Sequence, residues 1–386
     1  MPTVRISRKG ASRIASGHPW IFSSDILDRG QAVAGDAVTV IDAKGAALGT
    51  AHYSDASQIS LRMLSDRVEA TDRAFFLHRI AAAEAYRKRV VAHSEAYRLV
   101  HGEADRLPGL VVDRYGDYFT VQTLDQGMDR SKREIASVLE ELFAPHGIVE
   151  RNDVAIRKRE ALPMQAGIVF GGVPETVALR MNGLKLHADL LHGQKTGIFL
   201  DQRENYLAAA RYGRGRALDC FTSTGGFALH LAAHCESVEA VDSSEAALRF
   251  ARLNAEANGI GNIKLHEADV FELLAGYAAA RRRFDVVVLD PPAFAKSRQN
   301  LDAAARGYGE INRRALQLLD TGGVLVTCSC SHHLSEAALL EIVAKAALDT
   351  GRTLRVLERR MQAQDHPVLL TVPETLYLKC LILEVI

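Results

Sequence analysis

The stretch GGVLVTCSCSHHLS, Gly322 to Ser335, places Cys328, Ser329, Cys330, Ser331, His332 and His333 where an apolar run gives out. Three chemistries are open to such a cluster: a metal clasp, a redox pair, or a nucleophilic thiol with a spare neighbour. A structural zinc site takes four ligands, and no second ligand pair accompanies this one. A disulfide between these two cysteines needs an oxidising compartment. A nucleophile must be a thiolate, and a free thiol with a pKa of about 8.5 needs a cationic or hydrogen-bonding neighbour to become one at neutral pH; Lys296 is a nearby candidate. A second set of chemical residues is acidic: Asp219, Asp242, Asp269 and Asp290 each follow a short apolar segment.

The elements that position these residues alternate strictly. RALDC, SVEAVD, NIKLHEAD, FDVVVLD and GGVLVTCSC read as strands; GGFALHLAAH, SEAALRFARLNAEANG, VFELLAGYAAARRR and INRRALQLL read as helices between them. Alternation of this kind predicts a doubly wound, mostly parallel α/β sheet, whose ligands bind beyond the carboxyl ends of the strands. All four aspartates and the two cysteines therefore belong to one edge. Before this region, residues 1–70 carry short strands broken by Gly35, Gly45 and Gly49, a small β-rich module. Residues 71–185 mix helical DRAFFLHRIAAAEAYRKRV and SKREIASVLEELF with strand-like YRLVHGE and GLVVDRYGDYFTVQTL, a central α+β domain. The expected division is 1–70, 71–185 and 186–386.

The loop after the first strand, DCFTSTGGF, offers Gly225 and Gly226 for close backbone approach to a ligand, but it lacks the G-x-G-x-x-G that holds a pyrophosphate. Asp242 follows Asp219 by 23 positions, about the interval at which the acid of a second strand holds ribose hydroxyls. A nucleoside without a diphosphate fits best, and S-adenosylmethionine is the common one.

Composition narrows the partners. Among 386 residues, 47 lysines and arginines balance 47 aspartates and glutamates, so no global charge announces nucleic acid. A local excess exists: Arg5, Arg8, Lys9 and Arg13 precede the first acid, Asp25, with His18, Trp20 and Phe22 interleaved. That face suits RNA, although a solvated surface, or core packing of Trp20 and Phe22, accounts for it equally. No apolar run approaches the roughly 18 residues of a membrane span and no secretory leader is evident. Five cysteines are an odd, sparse set, so free thiols and a cytoplasmic location are expected.

LDCFTSTGGF, VDSS, EADVF and LDPPAFAKS resemble the successive motifs of class I methyltransferases. With GQKTGIFLDQRENY upstream, CSCSHH downstream, RKGASRIASGHPWIFSSDI at the start and HPVLLTVPETLYLK near the end, the chain is similar over nearly its whole length to the bacterial 23S rRNA cytosine-C5 methyltransferases that carry an N-terminal PUA domain. The resemblance implies a Rossmann-like methyltransferase domain and S-adenosylmethionine as cofactor. It implies an RNA substrate, 23S rRNA either naked or in a subunit particle, and admits a homodimer. Carried onto this sequence, Asp242 would hold the ribose hydroxyls and Asp269 the adenine amino group. Phe221, Gly225 and Gly226 would wrap the methionine end, and Gln194, Thr196 and Phe199 would close over the cofactor.

Carbon 5 of cytosine is a poor nucleophile until a thiolate adds at carbon 6, so C5 transfer needs a cysteine beside the cofactor. Asp290 would meet the N3 and N4 edge of the base and accept the charge that builds there. Side chains two apart on a strand share a face, so strand geometry does not choose between Cys328 and Cys330. Position nearer the carboxyl end, and the family's Ser-Cys-Ser pattern, favour Cys330 as nucleophile, with Cys328 beneath it as packing. No metal is expected. The family's wider group carries a second cysteine after the Asp-Pro of LDPPAF; Pro292 and Ala293 stand here instead, so the acceptor of the C5 proton is unassigned. Two other readings remain: an amino-group methyltransferase acting on RNA or a small molecule, and a non-catalytic RNA-binding assembly factor.

Overall fold

The computed structural model describes residues 1–193, 195–294 and 301–386, arranged as two compact units. The first comprises Met1–Arg180, Ala188–Gly197 and Gln364–Thr375; the second comprises Met181–His187, Ile198–Ala363 and Leu376–Ile386. Gln194 and Lys296 lie outside the described residues.

The first unit begins with a six-stranded sheet, in spatial order Trp20–Phe22, Ile59–Ser65, Ala47–Tyr53, Ala37–Ile41, Thr3–Ile6 and Ile26–Asp28. Period-two alternation buries Val4 and Ile6, Val38 and Val40, which share one apolar cluster. Ser7 caps the helix Arg8–Ala15 by accepting the amide of Gly10 at 3.1 Å. Ile21 is the core residue of its strand. Trp20 and Phe22 face the other way, half-buried: the Trp20 indole N–H donates to Glu103 at 2.9 Å, and the Arg13 guanidinium lies 4.4 Å above the Phe22 ring. A five-stranded sheet follows between Ala96 and Gly171, packed with helices Arg73–Val90 and Lys132–Phe143 around a separate apolar core.

The second unit is built on seven strands: β1 (Arg216–Cys220), β2 (Ser237–Asp242), β3 (Ile263–Glu267), β4 (Phe284–Leu289), β5 (Leu319–Ser329), β6 (Leu354–Arg360) and β7 (Lys379–Val385). Their spatial order is 3-2-1-4-5-7-6, parallel from β3 through β5, with β7 antiparallel to both its neighbours. The strand order reverses between β1 and β4, which opens a crevice at their carboxyl ends. The helices are α1 (Arg203–Ala210), α2 (Gly226–Ala232), α3 (Glu245–Ala257), α4 (Val270–Ala279), α5 (Leu301–Gln317) and α6 (Glu336–Asp349). Strands covered on both faces are continuously apolar, and β4 is the clearest case, with Val286, Val287, Val288 and Leu289 all fully buried. The α5 helix begins ten residues before the expected INRRALQLL segment. Gly307 and Gly309 lower the local helix propensity there, but the missing side chain of Gly307 admits the ring of Phe294.

Candidate active site at the edge of the seven-stranded sheet

Register fixes which side chains meet. Cys220 stands opposite Leu289 and Leu289 opposite Thr327, so β1 and β4 end level and β5 runs two residues further. The loop leaving β1 is tightly wound: Phe221, Ser223 and Gly225 all adopt left-handed backbone, with φ of 63°, 50° and 90°. Gly226 is required for a different reason, because a Cβ there would stand 2.3 Å from the Tyr206 ring. Tyr206, on α1, packs edge-on against Phe227 and donates its hydroxyl to the Phe199 carbonyl. Phe199, Tyr206, Phe221, Thr222, Ser223, Thr224, Gly226, Phe227 and Asp290 together line a pocket at this edge.

The four strand-end acids do different work. Asp219 is fully buried; one carboxylate oxygen accepts from the Thr222 hydroxyl at 2.6 Å and from the Ala228 amide at 2.9 Å, and the other has no partner among the described residues. Burial raises its pKa to about 7, so it ties the loop to its strand rather than facing a ligand. Asp242, half-exposed at the end of β2, accepts the amides of Ser223 and Ser244, each at 2.9 Å, which splays its carboxylate at the pocket loop. Asp269 is exposed and caps α4 through the Glu272 amide at 3.0 Å. Asp290 accepts at 2.9 Å from the side-chain amide of Gln202. Gln202 is oriented in turn by the Asn205 amide at 2.6 Å, and Asn205 by Arg360 at 2.9 Å. This relay was not anticipated, although Gln202 and Asn205 sit inside the LDQRENY segment.

The two cysteines of the opening stretch separate by burial. Cys328 is fully enclosed, paired in register with Cys380 and touching Gln202; burial, then Cys380, drives its thiol well above the usual range. Cys330 lies one residue beyond β5 and is half-buried. Its neighbours Ser329 and Ser331 both bond the Tyr308 hydroxyl of α5, at 2.9 and 3.1 Å. Lys379, the first residue of β7, stands opposite Ser329 and was missed because nothing in its local sequence links it to a residue 50 positions earlier. His332 lies against Tyr377, with ring centroids 5.5 Å apart. Thr196 belongs to the first unit, where its hydroxyl donates to Asp113 at 2.6 Å and lies 3.0 Å from the Tyr115 hydroxyl. No group of three or more metal-ligating side chains occurs among the described residues, and no helix among them is long and apolar enough to cross a membrane.

The pocket suits a nucleoside carrying an amino-acid tail. It is lined by Gly226, Asp290 and a buried Ser223 hydroxyl with no protein partner among the described residues, and Asp242 at the end of β2 holds the Ser223 amide beside it. Comparison with known proteins identifies the family of the chain. Residues 4–66 match a PUA-like domain and residues 132–382 match the S-adenosylmethionine-dependent methyltransferase family. Two proteins named ribosomal RNA large subunit methyltransferase I are similar throughout: one from Klebsiella pneumoniae is 41% identical, covering 98% of this chain and 97% of its own. One from Shewanella amazonensis is 43% identical, covering 95% of each. The fold also matches a putative S-adenosylmethionine-dependent methyltransferase from Streptococcus mutans, with TM-score 0.84 at 20% identity over the whole of both chains. A putative methyltransferase complexed with S-adenosylhomocysteine matches with TM-score 0.85 at 20% identity, again over the whole of both chains. The chain belongs to the S-adenosylmethionine-dependent methyltransferase family, in the branch that joins a PUA-like domain to the catalytic sheet and includes the ribosomal RNA large subunit methyltransferases I.

Proposed function

We propose that this protein methylates carbon 5 of a cytosine in large-subunit ribosomal RNA, with Cys330 as the sulfur that adds to carbon 6. The observation that carries the reading is a half-buried cysteine just past the end of β5, on the same sheet edge as Asp290 and the cofactor pocket. S-adenosylmethionine supplies an electrophilic methyl group when bound. Cys330 adds to carbon 6 of the extruded base, which loads electron density onto carbon 5; once carbon 5 carries the methyl group, its proton leaves and the S–C6 pair returns to sulfur as the adduct breaks. Asp290, steadied by Gln202, meets the N3 and N4 edge and offsets the developing charge. Phe221, Gly225 and Gly226 enclose the methionine end, Phe199 covers it, and Asp269 uses the carboxylate oxygen not engaged by Glu272 for the adenine amine.

Phe294 speaks against amino-group transfer. In that chemistry the aromatic residue of an Asp-Pro-Pro loop stacks on the base, whereas here its ring packs 4.8 Å from Tyr308 against the apolar core. Residues 1–70 are assigned as the RNA-binding module, 71–185 as the central domain and 186–386 as the methyl-transfer domain. The basic face of the first helix, Arg8, Lys9 and Arg13, is the expected phosphate contact. Action in the cytoplasm on naked 23S rRNA or a subunit particle, and assembly as a homodimer, are parts of the same proposal. Mapping 5-methylcytosine in rRNA from a deletion strain tests it: one site should lose its mark and regain it on complementation, and an unchanged map rejects the reading. Turnover on bare rRNA excludes a non-catalytic assembly factor.

Asp242→Ala should raise the dissociation constant for S-adenosylmethionine at least about tenfold by calorimetry, because charge-assisted hydrogen bonds to ribose hydroxyls contribute roughly 1.5 to 3 kcal/mol each. An unchanged constant removes Asp242 from the site.

A further inference from the structure

A lysine side chain is seldom buried without an anion beside it, because desolvating the ammonium is costly. Lys379 is 5% exposed, and no carboxylate forms an ion pair with it among the described residues. Its Nζ donates to two carbonyl oxygens, those of Ser331 and Tyr377, each at 2.7 Å. An ammonium has three N–H donors, so one is left. The charged and titratable groups around it are few. Cys330 and Glu336 act on it electrostatically, Tyr308 reaches Ser329 and Ser331 from α5, Tyr377 donates its phenol to Asp201 at 2.8 Å, and His332 lies against the Tyr377 ring. Of these, the group that becomes an anion in the proposed reaction is Cys330.

We propose that Lys379 is a positioning residue whose ammonium is the counter-ion of the Cys330 thiolate, and so keeps the nucleophile ionised at neutral pH. The S–H bond of Cys330 breaks, its proton passes to solvent and the electron pair stays on sulfur; Lys379 keeps its own proton. When the S–C6 bond later breaks, the bonding pair returns to sulfur beside the same ammonium. Burial lowers the Lys379 pKa to about 8, against the opposing pull of Cys330 and then Glu336, so below that pH the cation is present. The lysine lies 49 residues after Cys330, and its Nζ reaches the carbonyl of the next residue, Ser331, only because β7 runs antiparallel beside β5.

This inference rests on Cys330 being the nucleophile, but its test does not use methyl transfer. Iodoacetamide alkylation of the Cys330 peptide is followed by mass spectrometry from pH 5 to 10. The four buried cysteines, Cys220, Cys235, Cys328 and Cys380, serve as internal controls for unfolding. Wild type should alkylate with a midpoint below the ordinary thiol value of about 8.5. At pH 7, Lys379→Met should react at least about tenfold more slowly, the effect of one unit in pKa, and Lys379→Arg should recover most of the rate. A wild-type midpoint at or above the ordinary value overturns the proposal without any variant, as does a folded Lys379→Met that reacts like wild type. If Lys379→Met exposes the buried cysteines, the wild-type midpoint and Lys379→Arg decide. A low midpoint in an enzyme whose Cys330→Ala variant still makes 5-methylcytosine would reject the nucleophile assignment while leaving the ion pair standing. A normal midpoint with an inactive Cys330→Ala would do the reverse.

Discussion

RNA carrying 5-fluorocytosine at the target position is expected to be trapped as a methylated covalent adduct by wild type and by Cys328→Ala, but not by Cys330→Ala. The fluorine cannot leave as a proton does, so a sulfur that has added to carbon 6 stays there after methyl transfer. Cys328 is unsuited to that attack: it is fully buried against Cys380 and Gln202, and its thiol is pushed well above the usual range. Cys330 lies past the strand end, half-buried, next to Ser331, whose carbonyl accepts from the Lys379 ammonium. On unmodified RNA, Cys330→Ala should lose at least about a thousandfold in turnover, within the range seen when a covalent nucleophile is removed. Denaturing gels with labelled RNA read the adduct directly. An adduct that survives Cys330→Ala and vanishes in Cys328→Ala would reverse the assignment, and 5-methylcytosine made by the double variant would end covalent catalysis here.

Asp290→Asn is the second large effect. The amide keeps the size of the carboxylate and still offers an oxygen to Gln202, now 2.9 Å away, so the pocket wall should stand. In the proposed reaction what is lost is the carboxylate that meets the base edge, and removing one such preorganised partner costs on the order of 10² to 10³ in rate. Single-turnover methylation should slow by that factor while the dissociation constant for S-adenosylmethionine stays near the wild-type value. A rate within error of wild type would take Asp290 out of the chemistry. A collapse of cofactor binding alone would make it a pocket residue rather than a partner of the base.

Much of this molecule is legible in its sequence, because the signals involved are local. Strands β1 to β5 and the helices between them announce themselves by apolar runs and helical periodicity, and alternation alone selects a doubly wound sheet with its ligands at the carboxyl edge. The glycines of the β1–α2 loop and the strand-end acids point to a nucleoside pocket for the same reason. Local signals do not report burial or partners, however. Asp219 resembles Asp242 in the sequence, yet one is sealed beneath the loop and the other stands at its rim. Strand periodicity leaves Cys328 and Cys330 equivalent; the point at which β5 ends, and the packing of Cys380 against one of them, separates the two.

The supporting residues were out of reach altogether. Gln202 meets Asp290 across 88 positions of chain, and Lys379 meets the Ser331 carbonyl across 48. No spacing rule spans such intervals, since they are closed by the sheet's order rather than by the period of any one element. The class of fold, a ligand-binding sheet edge and a short set of chemical groups are all legible from local pattern. Folding in three dimensions sets which of those groups are desolvated, which are held by hydrogen bonds from distant strands, and which backbone carbonyls the buried Lys379 ammonium meets, because desolvation and pairing depend on neighbours brought together in space.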